Sequence, residues 1–185
     1  MMKTIRWVVL MAGLLLTPIF SSHAQEAPKG YEITASEARL NALPGVRHHG
    51  PVLEIPLLEG ASFDDLVMTL EGEMPEANLN IVARQDMGNA ITARTGIPMP
   101  RYVIFNICNL EVGRKIITVE PAFGAFMPCK VVLYEESMDG RVWAITYKPA
   151  FAIPYFPNLP QEALDAAREV GDKMFDILFL MATEG

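Results

Sequence analysis

Apolar residues follow strand-like and helix-like spacings in turn along the chain, and these spacings predict its secondary structure. Val52 to Pro56 and Tyr102 to Ile107 are rich in residues that pack well on a pleated surface, so both segments predict strands. Behind Ser62, apolar residues recur every three or four positions, which predicts a capped helix that ends at Met74-Pro75. Further strands are predicted over Leu79–Ala83, Phe123–Glu135 and Arg141–Lys148. Further helices are predicted to begin after Thr34 and to span Gly88–Thr95 and Leu110–Val119.

Prolines and glycines mark the connections between these elements. Asp139-Gly140 predicts a tight hairpin turn between the last two strands, because such turns need positive backbone angles. The prolines between positions 149 and 160 exclude regular structure until Asn158 can cap a long helix that begins at Gln161. The resulting order, β-α-β(4)-α, predicts an α+β fold. We expect a two-layer sandwich in which helices cover one face of a mostly antiparallel sheet.

The predicted C-terminal helix is amphipathic in its first half and apolar nearly all round in its second half. Within residues 174–181 only Asp176 is polar, so this half must be covered on more than one face. One interpretation is burial beneath the proline-rich segment 151–157 of the same chain. The other is a homodimer, and its interface would contain Phe175, Phe179 and Leu180.

The first residues have the pattern of a secretory signal peptide. Lys3 and Arg6 precede an apolar run from Trp7 to Phe20, and small residues follow up to Ala24, where we expect cleavage. The run is shorter than the roughly 20 residues that a spanning helix needs, so we expect no stable membrane insertion after cleavage and a periplasmic or secreted protein. The predicted divisions are a signal peptide (1–24), an N-terminal extension with a short helix (25–50) and a single α+β domain (51–185).

The charge balance narrows the choice of partners. The chain has 15 Lys and Arg against 22 Asp and Glu, a formal net charge of -7 at pH 7. Recognition of nucleic-acid phosphates needs a surface rich in Lys and Arg, which this chain cannot easily assemble. We therefore expect no nucleic acid as a partner.

Two stretches of the sequence resemble a known family. The stretches Tyr102–Asn109 (YVIFNICN) and Glu120–Val132 (EPAFGAFMPCKVV) resemble the two cysteine-containing motifs of domain of unknown function 302, and Phe63-Asp64-Asp65 is similar to the start of that family's preceding helix. The resemblance covers about Val52 to Pro149. It implies a TATA-binding-protein-like β-α-β(4)-α fold, often dimeric, with no established activity.

The sequence departs from that family at two places. Leu110 stands where the family usually has proline, and Asn78-Leu79-Asn80 replaces a usual glycine-phenylalanine pair. A ligand contact that the family makes through these positions is therefore not carried over to this chain.

Cys108 and Cys129 are the only cysteines, and both lie where predicted strands meet turns. In an exported protein a disulfide between them is the simplest interpretation. The resemblance also implies another use, since family members that look cytoplasmic carry the pair as well. A metal or ligand site and a thiol-disulfide redox pair are therefore alternatives, although the spacing fits no zinc pattern.

Four other residues are candidates for binding near the cysteines, each with a plainer alternative. Met127 precedes Pro128-Cys129 and would suit Cu(I) as a thioether ligand if the loops converge, whereas most methionines only fill the core. His48 and His49, in a predicted loop, could bind an ion together if the chain turned, or lie on the surface. Asn109 could hydrogen-bond a ligand or close the turn after its strand.

The sequence contains no complete catalytic signature, since it has no Gly-x-Ser-x-Gly, His-Glu-x-x-His, Cys-x-x-Cys or phosphate-binding glycine loop. This favours a non-enzymatic function. We expect a domain that binds a small ligand, or a metal ion or metal-containing cofactor of unknown identity, near the two cysteines. The alternatives are a thiol-disulfide redox module and a dimeric scaffold with a structural disulfide.

Overall fold

The computed structural model describes residues 31–184, so the predicted signal peptide lies outside the described residues. The helices are α1 (Ala35–Asn41), α2 (Phe63–Glu76), α3 (Met87–Thr95), α4 (Leu110–Val119) and α5 (Gln161–Thr183), with 3-10 helices at Pro121–Phe126 and Pro149–Tyr155. The strands are β1 (Arg47–His49), β2 (Val52–Pro56), β3 (Asn80–Asp86), β4 (Tyr102–Cys108), β5 (Cys129–Glu135) and β6 (Val142–Tyr147). Within this part of the chain, no helix has the length and apolar character needed to cross a membrane.

The six strands form one open sheet in the order β1-β2-β6-β5-β4-β3, and every neighbouring pair is antiparallel. This confirms the predicted α+β class. Strand β1 (Arg47–His49) was not expected, because His48 and His49 were assigned to a loop. All three residues are exposed, so β1 carries no apolar pattern, and its pairing with β2 defines it.

The hydrophobic core lies between one face of the sheet and helices α2 and α5. On this face Leu53, Phe105 and Leu133 come from three different strands and are fully buried. Leu70 of α2 and Met174 of α5 belong to the same core cluster and are equally inaccessible. The periodic apolar stripes that predicted α2 and the strands therefore meet in one core.

Helix caps explain several of the boundaries. The Thr34 and Ser62 side chains accept hydrogen bonds from the backbone N–H of Glu37 and Asp65, as the capping patterns predicted. Helix α5 begins at Gln161 as predicted, but its N-cap is Pro160 and no side chain caps it, so the predicted cap by Asn158 was wrong. Its first turn therefore relies on the fixed backbone angle of proline instead of a hydroxyl or amide.

Two predictions for the second half of the chain were wrong. Residues 123–126, expected to start a strand, belong to the 3-10 helix Pro121–Phe126, and β5 begins only at Cys129. The proline-rich segment, expected to be irregular, forms the 3-10 helix Pro149–Tyr155. Proline at the first position of each helix is compatible with helical backbone angles and needs no hydrogen-bond donor there.

The apolar half of α5 is covered largely within the chain. Phe175 is only 3% exposed and lies in the core cluster. Helix α1 packs along α5, where the Arg39 guanidinium stands 4.4 Å from the centre of the Phe179 ring and bonds Asp176 at 2.6 Å. Leu180 remains partly exposed. Phe175 is therefore not available to a second subunit while the fold is intact, and the homodimer stays a prediction.

Candidate functional site

The candidate site lies where β4 ends and β5 begins. These strands are antiparallel neighbours, and Ile107 near the end of β4 pairs with Cys129 at the start of β5. The connection between them, α4 and a 3-10 helix, leaves the sheet and returns to the same end of it. Cys108 and Cys129 therefore line the same cavity.

The cavity is small and its walls are mostly apolar. Its volume is about 30 Å³, and the walls come from β4, α4, the 3-10 helix Pro121–Phe126 and α5. Organic cofactors occupy pockets of roughly 300–1,000 Å³, whereas a cavity of this size has room for an ion or one or two water-sized groups. The lining residues that carry nitrogen, oxygen or sulfur in their side chains are Cys108, Asn109, Met127, Cys129 and Tyr147.

Both thiols are free, so the predicted disulfide is not formed in this structure. Cys129 is 9% exposed, and burial raises the pKa of its thiol to about 11, against a smaller opposing effect of a hydrogen bond with Tyr147. Burial also raises the pKa of the Cys108 thiol, which is partly exposed. Burial therefore favours the protonated form of both thiols in this structure.

Gly113, in the second turn of α4, allows two sulfur-bearing side chains to approach the helix. A Cβ atom at this position would lie 2.7 Å from the Met127 methyl carbon and 3.2 Å from the Cys108 sulfur. Any larger residue would therefore push Met127 or Cys108 away from the cavity wall. Sequence reasoning missed this residue, although a glycine inside a predicted helix is a recognisable signal, since it costs about 1 kcal/mol relative to alanine.

Tyr147 was also missed, because it reaches the cavity from β6, far along the chain from both cysteines. Its hydroxyl donates a hydrogen bond to the Phe126 carbonyl, which links β6 to the 3-10 helix before β5. Burial and the neighbouring Cys129 raise the pKa of this phenol above its usual range. Tyr147 is thus a neutral wall residue that closes one side of the cavity.

Asn109 lies at the cavity, but its amide is already engaged. Its oxygen accepts from the Val112 backbone N–H at 3.0 Å, and its nitrogen donates to the Asn78 carbonyl at 3.1 Å. Asn109 therefore caps α4 and connects the turn after β4 to the residues that follow α2. Of its two predicted roles, the turn is the one with hydrogen bonds to support it.

Replacing Asn109 with alanine is expected to lower the free energy of unfolding by about 2 kcal/mol, since a helix cap and the partner of a carbonyl are lost together. Asn109→Asp keeps the accepting oxygen and should cost less. Asp86→Ala removes the exposed cap of α3, which accepts from the Asn89 N–H at 3.0 Å, and serves as the matched control with a loss of about 1 kcal/mol. Urea denaturation measures all three. Wild-type stability of Asn109→Ala combined with lost ligand binding would instead assign Asn109 to a ligand.

The two histidines lie elsewhere. His48 and His49 are exposed on the edge strand β1, and neither lines the cavity. The His49 ring nitrogen lies 3.2 Å from a Glu54 oxygen, and partial burial together with the nearby Lys148 charge lowers the pKa of His48. Within residues 31–184, no three or more His, Cys, Asp or Glu side chains are grouped so that they could hold a metal ion.

Comparisons with known proteins agree with the motif resemblance. The family model described as "Domain of unknown function DUF302" matches residues 55–178. An "Uncharacterized protein" of Aquifex aeolicus (strain VF5) is 33% identical over 85 residues, which is 46% of this chain and 52% of that protein, so the match spans about half of the curated relative. A crystal structure titled "uncharacterized conserved protein DUF302 from Bacillus stearothermophilus" aligns with a TM-score of 0.59 at 15% identity, covering 70% of this chain and 97% of that one. The structural likeness shows a shared fold, and the expected likeness to the TATA-binding protein stays a prediction.

Proposed function

The chain belongs to the DUF302 family, and we propose that this member is a secreted or periplasmic, non-enzymatic domain that binds a small ligand or metal ion in the cavity lined by the two cysteines. The observation that carries the proposal is the convergence of Cys108, Cys129 and Met127 on one cavity from two strands and the segment between them. Three polarisable sulfur side chains beside a mostly apolar space supply soft donor atoms for a guest.

The chemistry of the lining supports binding over catalysis. Among residues 31–184, none that lines the cavity carries a carboxylate, imidazole, amine or guanidinium group. General acid–base catalysis needs a titratable group within hydrogen-bond reach of the reacting atom, with a pKa near the working pH. The Asn109 amide is engaged in the helix cap, and the Tyr147 hydroxyl is engaged with a backbone carbonyl. The Cys108 thiol donates to the Asn109 carbonyl at 3.5 Å, and the Cys129 thiol is hydrogen-bonded with Tyr147. Hydrogen bonds of thiols are weak, so the sulfur atoms are the polar groups that a guest can contact most readily.

A thiol-disulfide redox module is the second candidate, because both thiols are free and face one cavity. A redox cysteine needs an accessible thiolate, which a lowered pKa provides. Burial has the opposite effect on both of these thiols. The binding proposal therefore ranks above the redox proposal.

Mass spectrometry of the protein purified from its native compartment tests the proposal. We expect the native mass to exceed the denatured mass by the mass of a bound species, and both thiols to react with an alkylating agent after denaturation. Cys108→Ser should lose the extra mass, whereas Met138→Leu, at a 90% exposed position, should keep it. A denatured mass about 2 Da lower without alkylation would show a disulfide and favour the redox module. Equal extra mass on Cys108→Ser would contradict the proposed site.

A further inference from the structure

We propose that the guest of this cavity is a single Cu(I) ion, held by the sulfur atoms of Cys108 and Cys129 with the Met127 thioether as third ligand. The inference rests on the proposed function and names its ligand class. It follows from three properties of the site: the chemical type of its donors, their number, and the size of the space they enclose.

The donor atoms are all soft. Two thiols and one thioether line the cavity, and no carboxylate or imidazole from the described part of the chain accompanies them. Hard cations such as Mg²⁺ and Ca²⁺ take oxygen ligands, so this donor set disfavours them. Thiolate and thioether sulfur select Cu(I), zinc and iron–sulfur clusters. The choice therefore lies among soft or borderline metals.

The number of donors separates these metals. Structural zinc sites use four protein ligands in a tetrahedron, and iron–sulfur clusters need four cysteines. The cavity offers two thiols and one thioether, and its remaining polar side chains, Asn109 and Tyr147, already have backbone partners. Cu(I) is a d¹⁰ ion that is stable with two or three sulfur ligands. It is the one metal of this group whose coordination the cavity can complete.

The space fits a bare ion. A cavity of about 30 Å³ holds one ion without a shell of water, and its apolar walls offer water few hydrogen bonds. Gly113 is part of this fit, because a Cβ there would lie 2.7 Å from the Met127 methyl carbon. Cys108 is partly exposed, which gives an ion access to the cavity from solvent, whereas Cys129 is buried. Gly113 thus leaves free the space that the end of the Met127 side chain occupies beside Cys108.

Binding conserves the oxidation state of the metal. Two S–H bonds break and their protons pass to solvent, while two copper–thiolate bonds and one copper–thioether bond form. Neither the copper nor the sulfur changes its electron count. The copper is delivered as Cu(I), so no oxidant or reductant is required.

An anaerobic titration of the mature protein with Cu(I), in competition with a Cu(I)-specific chelator, tests the inference. We expect one Cu(I) per chain and a higher melting temperature of the loaded protein, because an ion that binds the folded state preferentially stabilises it. Cys108→Ser should weaken binding more than the 10–100-fold that loss of an outer-sphere partner typically costs. Met127→Leu preserves the volume and removes only the sulfur, and we expect about 10-fold weaker binding.

Controls make the result specific to the site. Met138→Leu changes an exposed methionine and should leave the Cu(I) affinity unchanged. Gly113→Ala should weaken binding while all three sulfur atoms remain in the chain. Circular dichroism of each variant establishes that it is folded, and Cys108→Ser is preferred to Cys129→Ser because its position is less buried.

Four results would overturn the inference in whole or in part. Zn(II) binding as tight as Cu(I) binding would remove the metal assignment, and an unchanged Cu(I) affinity of Met127→Leu would remove the third ligand. A native protein that carries a different species, lost in Cys108→Ser, and does not bind Cu(I) would refute copper but leave the proposed function standing. Absence of both a bound species and Cu(I) binding would refute both.

Discussion

Truncation of Phe105 to alanine is expected to lower the free energy of unfolding by about 3–5 kcal/mol, a large share of the roughly 5–15 kcal/mol that stabilises a domain. The side chain is fully buried near the middle of β4, paired with Val131 of β5 and Arg84 of β3. It contributes to the core face on which α2 and α5 pack. The loss combines the transfer free energy of the ring with the cavity that the surrounding strands and helices cannot fill.

Urea denaturation of the wild-type and variant proteins measures this loss. Val82→Ala is the matched control, since Val82 is 48% exposed on β3 and lies at the register shift between Ile81 and Ala83. It should change stability by about 0.5 kcal/mol, as exposed substitutions do. A loss below about 1.5 kcal/mol for Phe105→Ala would mean that neighbouring side chains fill the space left by the ring. Such a result would contradict a rigidly packed core around β4.

Much of the fold could be predicted because local pattern and tertiary packing agree. The strand Val52–Pro56 and the helix Leu110–Val119 were both predicted with their observed bounds. In each segment, residue preferences and apolar spacing lead to the same element. The hairpin between β5 and β6 was also predicted, and Gly140 has the positive φ of 71° that the turn requires. Asp139 does not have a positive φ, and the connection runs from β5, which ends at Glu135, to β6, which begins at Val142. It is therefore longer than the two-residue turn that was predicted.

The elements that were predicted wrongly lack such agreement. Phe123 and Phe126 look like strand residues, yet their rings pack against Phe156 at 5.1 and 5.8 Å and form a cluster outside the sheet. Apolar spacing in a short segment cannot separate a strand from a buried helical turn. Strand β1 shows the opposite problem, since its exposed residues have no apolar pattern and only backbone pairing with β2 defines it.

The same distinction applies to the candidate site. Cys108 and Asn109 could be selected from the sequence because they lie at the end of a predicted strand, and Met127 because it precedes Pro128-Cys129. The cavity does bring these residues together with Cys129. Tyr147 could not be selected, because its position depends on the pairing of β6 with β5. The histidine pair was selected for its chemistry alone. The pair lies on the edge strand β1, which β2 and β6 separate from β5, and neither histidine lines the cavity.

Glu37 shows how tertiary structure can redirect a residue that the local pattern assigns correctly to a helix start. Thr34 and Glu37 have the Thr-x-x-Glu spacing of a capping box, in which the glutamate carboxylate returns to the start of the helix. The Glu37 backbone N–H does bond the Thr34 hydroxyl, at 3.2 Å. The carboxylate instead accepts from the Tyr31 hydroxyl and lies 2.9 Å from the Lys148 ammonium, with the Glu37 side chain only 1% exposed. This pair connects α1 to the end of the sheet, beside the 3-10 helix Pro149–Tyr155.

Replacement of Glu37 with alanine is therefore expected to cost about 3–5 kcal/mol, because it leaves the largely buried Lys148 charge without a partner. The double variant Glu37→Leu, Lys148→Met should recover most of this loss, since apolar residues can replace a buried ion pair without net cost. Glu169→Ala breaks the exposed Glu169–Lys173 pair on α5 and should cost under about 1 kcal/mol. Urea denaturation of all four proteins measures the differences. A loss for Glu37→Ala as small as that for Glu169→Ala would mean that Lys148 reaches solvent freely and that the pair does not hold α1 in place.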